Sequence, residues 1–356
     1  MVANRTILLS SFMRDKSSAT APNRVADPRP AAASGLSRRP APAPSAPVSD
    51  SAPRPGGGAP APERKTRRGT AWRGTALASL GVLAFSGSFP ATVFAMEGFD
   101  PYLVAIGRAV LAGAAALVFL AVAGAPLLPP RGRLGSYLVI VAGVVFGFPV
   151  FSGLALDSGA SASHAAVVVG LLPAATAACA VLRAGERPRA LFWASCGLGA
   201  VCVTAFTLSR GGGHVTGADL LLVAALLSAA AGYTEGGRLA RETPGWRVIS
   251  HALVVAMPLT VPATAVLALT TEVRPGAASL AGFAYAGLIS MFLGFIPWYA
   301  GLAVGGIARA GQTQLAQPLL TLTWAWLLLG ERFGAVTVVG ALAVLACVAM
   351  TQRARS

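Results

Sequence analysis

Pro173-Ala-Ala-Thr-Ala-Ala-Cys-Ala-Val-Leu-Arg-Ala-Gly-Glu-Arg187 and Pro318-Leu-Leu-Thr-Leu-Thr-Trp-Ala-Trp-Leu-Leu-Leu-Gly-Glu-Arg332 align without a gap at an offset of 145 residues. Both stretches open on proline, place a threonine three residues on, and close on Gly-Glu-Arg. Cys202 and Cys347 keep the same offset. Upstream, Gly147-Phe-Pro followed by Gly153-Leu-Ala matches Gly294-Phe-Ile-Pro followed by Gly301-Leu-Ala. The chain is an internal duplication.

Around these matches the sequence alternates long apolar runs with short Gly, Pro and Arg punctuation. A run of about 20 residues is what a helix needs to cross a hydrocarbon core of about 30 Å. The runs predict ten transmembrane helices, at 74–96, 101–123, 135–156, 160–182, 190–208, 218–240, 247–269, 279–301, 308–329 and 333–350. The division between the last two rests on Gly330-Glu331-Arg332. The expected fold is an all-α integral membrane protein with five helices per half, a first repeat at 74–208 and a second at 218–352. Residues 1–73 read differently. They are rich in Pro, Ala, Ser and Arg, bury too little apolar surface to offset chain entropy, and predict a disordered tail.

Composition agrees. Of 356 residues, 55% are hydrophobic and 12% charged, with a mean hydropathy of +0.67. A soluble domain carries about 25% charged residues. The tail holds 13 of the 28 basic residues and four of the 13 acids, so the remainder cannot present a solvated surface. The net charge of +15 is therefore not a nucleic-acid footprint: the excess outside the tail is scattered over short loops. Lys16 and Lys65 are the only lysines, which excludes a Walker-type ATP loop. No metal or cofactor is expected. The four cysteines, Cys179, Cys196, Cys202 and Cys347, fall inside apolar runs and read as packing residues.

Five is odd, so the second half must enter the bilayer with opposite polarity. Inverted repeats suit secondary transporters, whose halves exchange inward- and outward-open states about a central site. Orientation follows from the arginines. With the N-terminus inside, eleven fall on the inner side and three (Arg210, Arg274 and Arg332) on the outer. Both termini are then cytoplasmic, in the plasma membrane, and Trp72, Trp193, Trp246 and Trp298 fall near the inner interface.

Polar groups at membrane depth are the candidate site residues. Arg108 lies about 10 Å into the second run at 1.5 Å per residue; it reads as a pathway cation or a structural anchor. Glu235 has Arg238 three residues on, so it is either an interfacial ion pair or a proton-coupling acid. His164 and His251, near the starts of two runs, read as interfacial residues or proton relays. Gln314, Gln317 and Thr321 share one helical face, and Gln317 lies about 14 Å deep, beside Pro318. That face must point inward, onto substrate or a neighbouring helix. An enzymatic alternative would gather Asp157, Ser161, Ser163 and His164 at the outer face, without any recognised spacing. A non-transporting scaffold is a third reading.

The two Pro…Gly-Glu segments resemble the drug/metabolite transporter superfamily, EamA type, in which the fourth span of each five-helix half carries a proline followed by a Gly-Glu turn. Ser86-Gly-Ser88, Pro101 and Arg108 fit the same resemblance in the first two spans, while Val93 and Phe94 stand where many members carry a cation. It covers residues 74–352. It implies a secondary, ATP-independent transporter, an exporter of small metabolites or drug-like molecules working by alternating access, and adds Ser86 and Ser88 to the expected substrate pathway. Expected partners are a small-molecule substrate and the lipid bilayer, with no nucleic acid, and with a homodimer as the assembly to test.

Overall fold

The computed structural model describes residues 63–184, 190–210, 214–305 and 313–355. The Gly185-Glu186-Arg187 turn, Arg309 and the first 62 residues lie outside them. Every regular element among the described residues is helical. The helices are α1 (Glu63–Ser86), α2 (Ser88–Met96), α3 (Pro101–Val122), α4 (Leu134–Ile140), α5 (Phe148–Asp157), α6 (Ala162–Val169), α7 (Leu172–Ala184), α8 (Ala190–Arg210), α9 (Gly217–Leu239), α10 (Gly245–Thr270), α11 (Ala277–Ala284), α12 (Phe295–Gly305), α13 (Ala316–Leu329) and α14 (Ala335–Arg355).

Several of these run on as one rod. Joined end to end they make seven apolar helices long enough to cross a bilayer: Trp72–Met96, Pro101–Val122, Arg131–Asp157, Ala162–Arg183, Gly217–Leu239, Gly245–Thr270 and Ala277–Val304. Ala190–Phe206, Ala316–Leu329 and Ala335–Met350 are apolar but shorter. α1 begins at Glu63, so residues 63–73, given to the tail on composition, continue the first helix. A helix can outrun the hydrocarbon there because basic side chains suit the headgroup layer.

Local chemistry sets the ends. Asp100 caps α3, its Oδ1 accepting from the Tyr102 and Leu103 amides at 2.9 and 3.3 Å, with Pro101 in the first turn. Thr216 and Asp219 close a reciprocal capping box on α9. Gly330 stops α13 in a left-handed conformation, φ 66°, open to glycine without steric cost, and α14 starts five residues later. The second copy of the Gly-Glu-Arg punctuation is thus a helix terminator.

The two halves break their helices at matching places. π-helical turns occupy Val141–Gly147 and Tyr285–Leu293, each ending just before the repeated Gly-Phe motif or upon its glycine. The fourth span is interrupted at Gly170-Leu171 in the first half and at Leu315 in the second, each just ahead of the repeated proline. Proline removes a backbone donor and clashes with the preceding turn, and the carbonyls so freed are tolerable only inside the protein.

Packing follows the duplication. α3 lies along α10, α6 against α13 and α8 along α14, each pair being the same span of the two halves. α1 lies along α12, while α9 lies along α5 and the π-turn before it, so first and third spans are exchanged between halves. Glycines allow the close approach. A Cβ on Gly301 would come within 2.6 Å of the Ala78 nitrogen, and one on Gly81 within 2.8 Å of the Trp298 Cβ. Trp298 is 1% exposed and packs against Phe85 and Tyr233, so its indole faces the bundle.

Candidate functional site

The first, third and fourth spans of both halves converge on a central cavity. Phe85, Ser88 and Phe89 come from the first span, Val144 and Phe148 from the third, and Leu172 from the fourth. Their counterparts in the second half are Ala229 and Tyr233, then Ser290, Met291 and Phe295, then Gln317. Arg108 of α3 completes the wall. Each π-turn contributes to the lining, Val144 from the first and Ser290 and Met291 from the second. The cavity offers only about 30 Å³ to the centre of a water molecule. That is room for one or two waters.

The walls are largely aromatic. Phe85 and Phe295 have ring centroids 4.7 Å apart, Tyr233 and Phe295 5.7 Å, and Phe89 and Phe148 6.1 Å. Their polar contacts are few. Ser88 and Ser290 hydrogen-bond each other through their hydroxyls, joining the two halves. Arg108 is 4% exposed, and its Nε finds no acceptor among the described residues. Charge at this depth costs at least about 2.5–3.5 kcal/mol, and an orphan buried donor adds about 1–3 kcal/mol.

A second, smaller recess adjoins the first between the broken fourth spans. Phe89, Leu172 and Gln317 belong to both, and Gln314, Pro318 and Thr321 line the second alone. Gln314 is 3% exposed with its Nε2 unpartnered among the described residues. The shared face read from the sequence therefore points inward. Thr321 is partly spoken for: its hydroxyl donates to the Ser86 carbonyl at 2.9 Å. Ser86 likewise serves the scaffold, its hydroxyl donating to the Leu83 carbonyl at 2.7 Å and accepting from Trp324 Nε1 at 2.9 Å. It does not line the central cavity, whereas Ser88 does.

Glu235 stands apart. Its Oε1 accepts from Arg238 Nη2 at 2.5 Å, and its Oε2 lies 3.6 Å from Arg183 Nε of the other half. Arg238 also donates to Ser136 at 2.7 Å, and Arg133 pairs with Glu242 nearby. Arg238, one helical turn on, holds the carboxylate at the end of the bundle rather than in the cavity. His251 is buried, its Nε2 2.9 Å from the Pro126 carbonyl oxygen.

The other end of α9, about 24 Å away at 1.5 Å per residue, carries the second set of ties between halves. His164 Nε2 lies 2.7 Å from Asp219 Oδ1. The Glu331 carboxylate accepts from the Ala162 and Ser163 amides at 2.9 and 3.0 Å, capping α6 of the opposite half. The enzymatic grouping is not assembled. The acid on His164 is Asp219, not Asp157, and Ser161 caps α6 by accepting from the His164 amide at 3.1 Å. Among the described residues no serine hydroxyl bonds the His164 ring.

Sequence reading missed the aromatic wall and Ser290. The signal was present for two of them: Phe148 and Phe295 follow the repeated glycine, in a motif noticed for its proline. Phe85, Phe89 and Tyr233 sit in runs where aromatics pass as ordinary apolar residues.

Comparison with known proteins bears on the same architecture. The EamA-like transporter family matches twice, over residues 72–208 and 216–352. An uncharacterized transporter, YdeK of Bacillus subtilis (strain 168), is 43% identical over 280 residues, which is 77% of this chain and 95% of that protein. A protein of known crystal structure superposes with a TM-score of 0.58 at 19% identity, covering 78% of this chain and 97% of its own, and shares the fold.

Proposed function

The chain belongs to the EamA-like transporter family, and on that premise we propose that it is a secondary, ATP-independent exporter of small molecules that works by alternating access. Ten spans, arranged as two inverted five-helix repeats with both termini on the cytoplasmic side of the plasma membrane, complete the proposal. Arg108, Ser88, Gln314, Gln317 and Thr321 form the substrate pathway, with Ser86 supporting it from behind.

The observation that carries this reading is that equivalent spans of both halves build one cavity, at breaks in their helices. Inverted-repeat transporters put their substrate at such a place. The pairing of the second, fourth and fifth spans with their own counterparts supports an axis through that cavity. The ties at either end of α9 support the rest. His164–Asp219 and Glu331 join the halves at one end, Glu235–Arg183 and Arg238–Ser136 at the other. With both ends tied and room for little more than water, a substrate enters only when one set parts. The set at the Glu331 end faces outward on the arginine distribution.

Two measurements test this. Single cysteines replacing Ala190 and Gly334 in a cysteine-free background should label from opposite sides of the membrane. Labelling of both from one side removes the inverted repeat. The purified protein in liposomes should move amino acids, organic acids or cationic drugs down or against a gradient without ATP. Impermeable proteoliposomes across that panel would remove transport.

A further inference from the structure

Arg108 gives the cavity a positive charge that nothing on its walls balances. No acidic residue lines the space, no carboxylate lies within ion-pair distance of Arg108 among the described residues, and its Nε is orphaned. The other polar groups on the wall are neutral: Ser88 and Ser290, engaged with each other, the Tyr233 phenol and the Gln317 amide. The remaining surface is aromatic and alkyl.

From this we infer that the cavity takes an organic monoanion, a carboxylate joined to an apolar and preferably aromatic body, with the carboxylate on Arg108 and the body among Phe85, Phe89, Phe148 and Phe295. The inference deepens the transport proposal and rests on it for the cavity's role. Charge counting chooses between ligand classes. A monoanion leaves the occupied cavity neutral. A zwitterion leaves one buried positive charge and a cation leaves two, with no carboxylate to accept either. A guanidinium fork matches a carboxylate through two parallel hydrogen bonds. Flat rings stack or meet edge-on at the centroid separations the wall already shows. The Gln317 amide, which both donates and accepts, serves a hydroxyl or ring nitrogen on the body.

The test is a thermal melt of the purified protein and its Arg108→Met and Arg108→Lys variants in detergent. Each is run alone and with millimolar phenylacetate, indole-3-acetate or octanoate, beside phenethylamine and phenylalanine. The carboxylates should raise the wild-type Tm while the amine and the zwitterion leave it unchanged. Without ligand, Arg108→Met should melt no lower than wild type, because it removes an uncompensated charge. Its apparent Kd for the protecting acid should weaken by about tenfold or more, with Arg108→Lys between the two. Protection of Arg108→Met equal to that of wild type would overturn the inference. So would a marked drop in its ligand-free Tm, the mark of a structural anchor, or protection of wild type by phenethylamine alone. The transport proposal fails separately: acids that protect the protein but do not cross proteoliposomes leave the anion site standing and remove transport. Amines that cross without any acid protecting do the reverse.

Discussion

The Cys202 and Cys347 sulfurs lie 3.8 Å apart, and the 145 residues between them are the offset that relates the two halves. A residue can touch its own counterpart only where the axis relating the halves passes. α8 and α14, which lie along one another, therefore meet on that axis.

That contact predicts a cross-link. With Cys179 and Cys196 replaced by serine and a protease site inserted at His214-Val215, a membrane-permeant oxidant should join Cys202 to Cys347. After cleavage the halves should run as one band without reductant and as two with it. Halves that separate without reductant would disprove the pairing of α8 with α14.

Gln317 faces both recesses, so its amide is expected to touch substrate. Gln317→Leu should abolish most transport at nearly unchanged stability, because an interhelical amide bond in a membrane is worth only about 0.6 kcal/mol. Gln317→Asn should retain part of it. Paired uptake assays and thermal melts decide, and full transport in the leucine variant counts against the site.

His164 and Asp219 tie α6 to α9 across the halves. Their coupling is measurable by a double-mutant cycle with His164→Ala and Asp219→Ala. Each single variant should lower Tm, Asp219→Ala more, since it also dismantles the capping box on α9. The double variant should lose less than the sum, by about 0.5–3 kcal/mol. Strict additivity would show that the two side chains do not hold the halves together.

Glu331 is expected to matter through the helix it caps rather than the one it follows. Its two oxygens satisfy the Ala162 and Ser163 amides and complement the positive end of α6. Glu331→Ala should cost about 1–2 kcal/mol, and Glu331→Gln should recover part of that. A chemical-denaturation series reads both. No loss in Glu331→Ala would remove the cap as a stabilising contact.

Much of this architecture was legible in the sequence because the chain says it twice. Pro173 and Pro318 marked the broken spans, and Gly330 marked a helix end before any helix was seen. Gln314 and Gln317 line one recess, as helical spacing puts them on one face. Arg108 read as a pathway cation or a structural anchor, and the structure adds that it is buried with its Nε unpartnered among the described residues. Glu235 read in part: its i,i+3 spacing gave the pair with Arg238, but periodicity cannot show the second cation, Arg183 from another span. The aromatic wall was invisible for a different reason. In a chain whose every run is apolar, a phenylalanine facing a cavity and one facing lipid look alike. Nor could spacing show that His164 would find its carboxylate 55 residues on, at Asp219.

The π-turns at Val141–Gly147 and Tyr285–Leu293 bear on the chain's ancestry. Such a turn accommodates an extra residue in the helix, the trace of an insertion that each copy would otherwise have had to acquire alone, at the same place. Its presence beside the same Gly-Phe motif in both halves is what duplication of one segment already carrying the turn would leave.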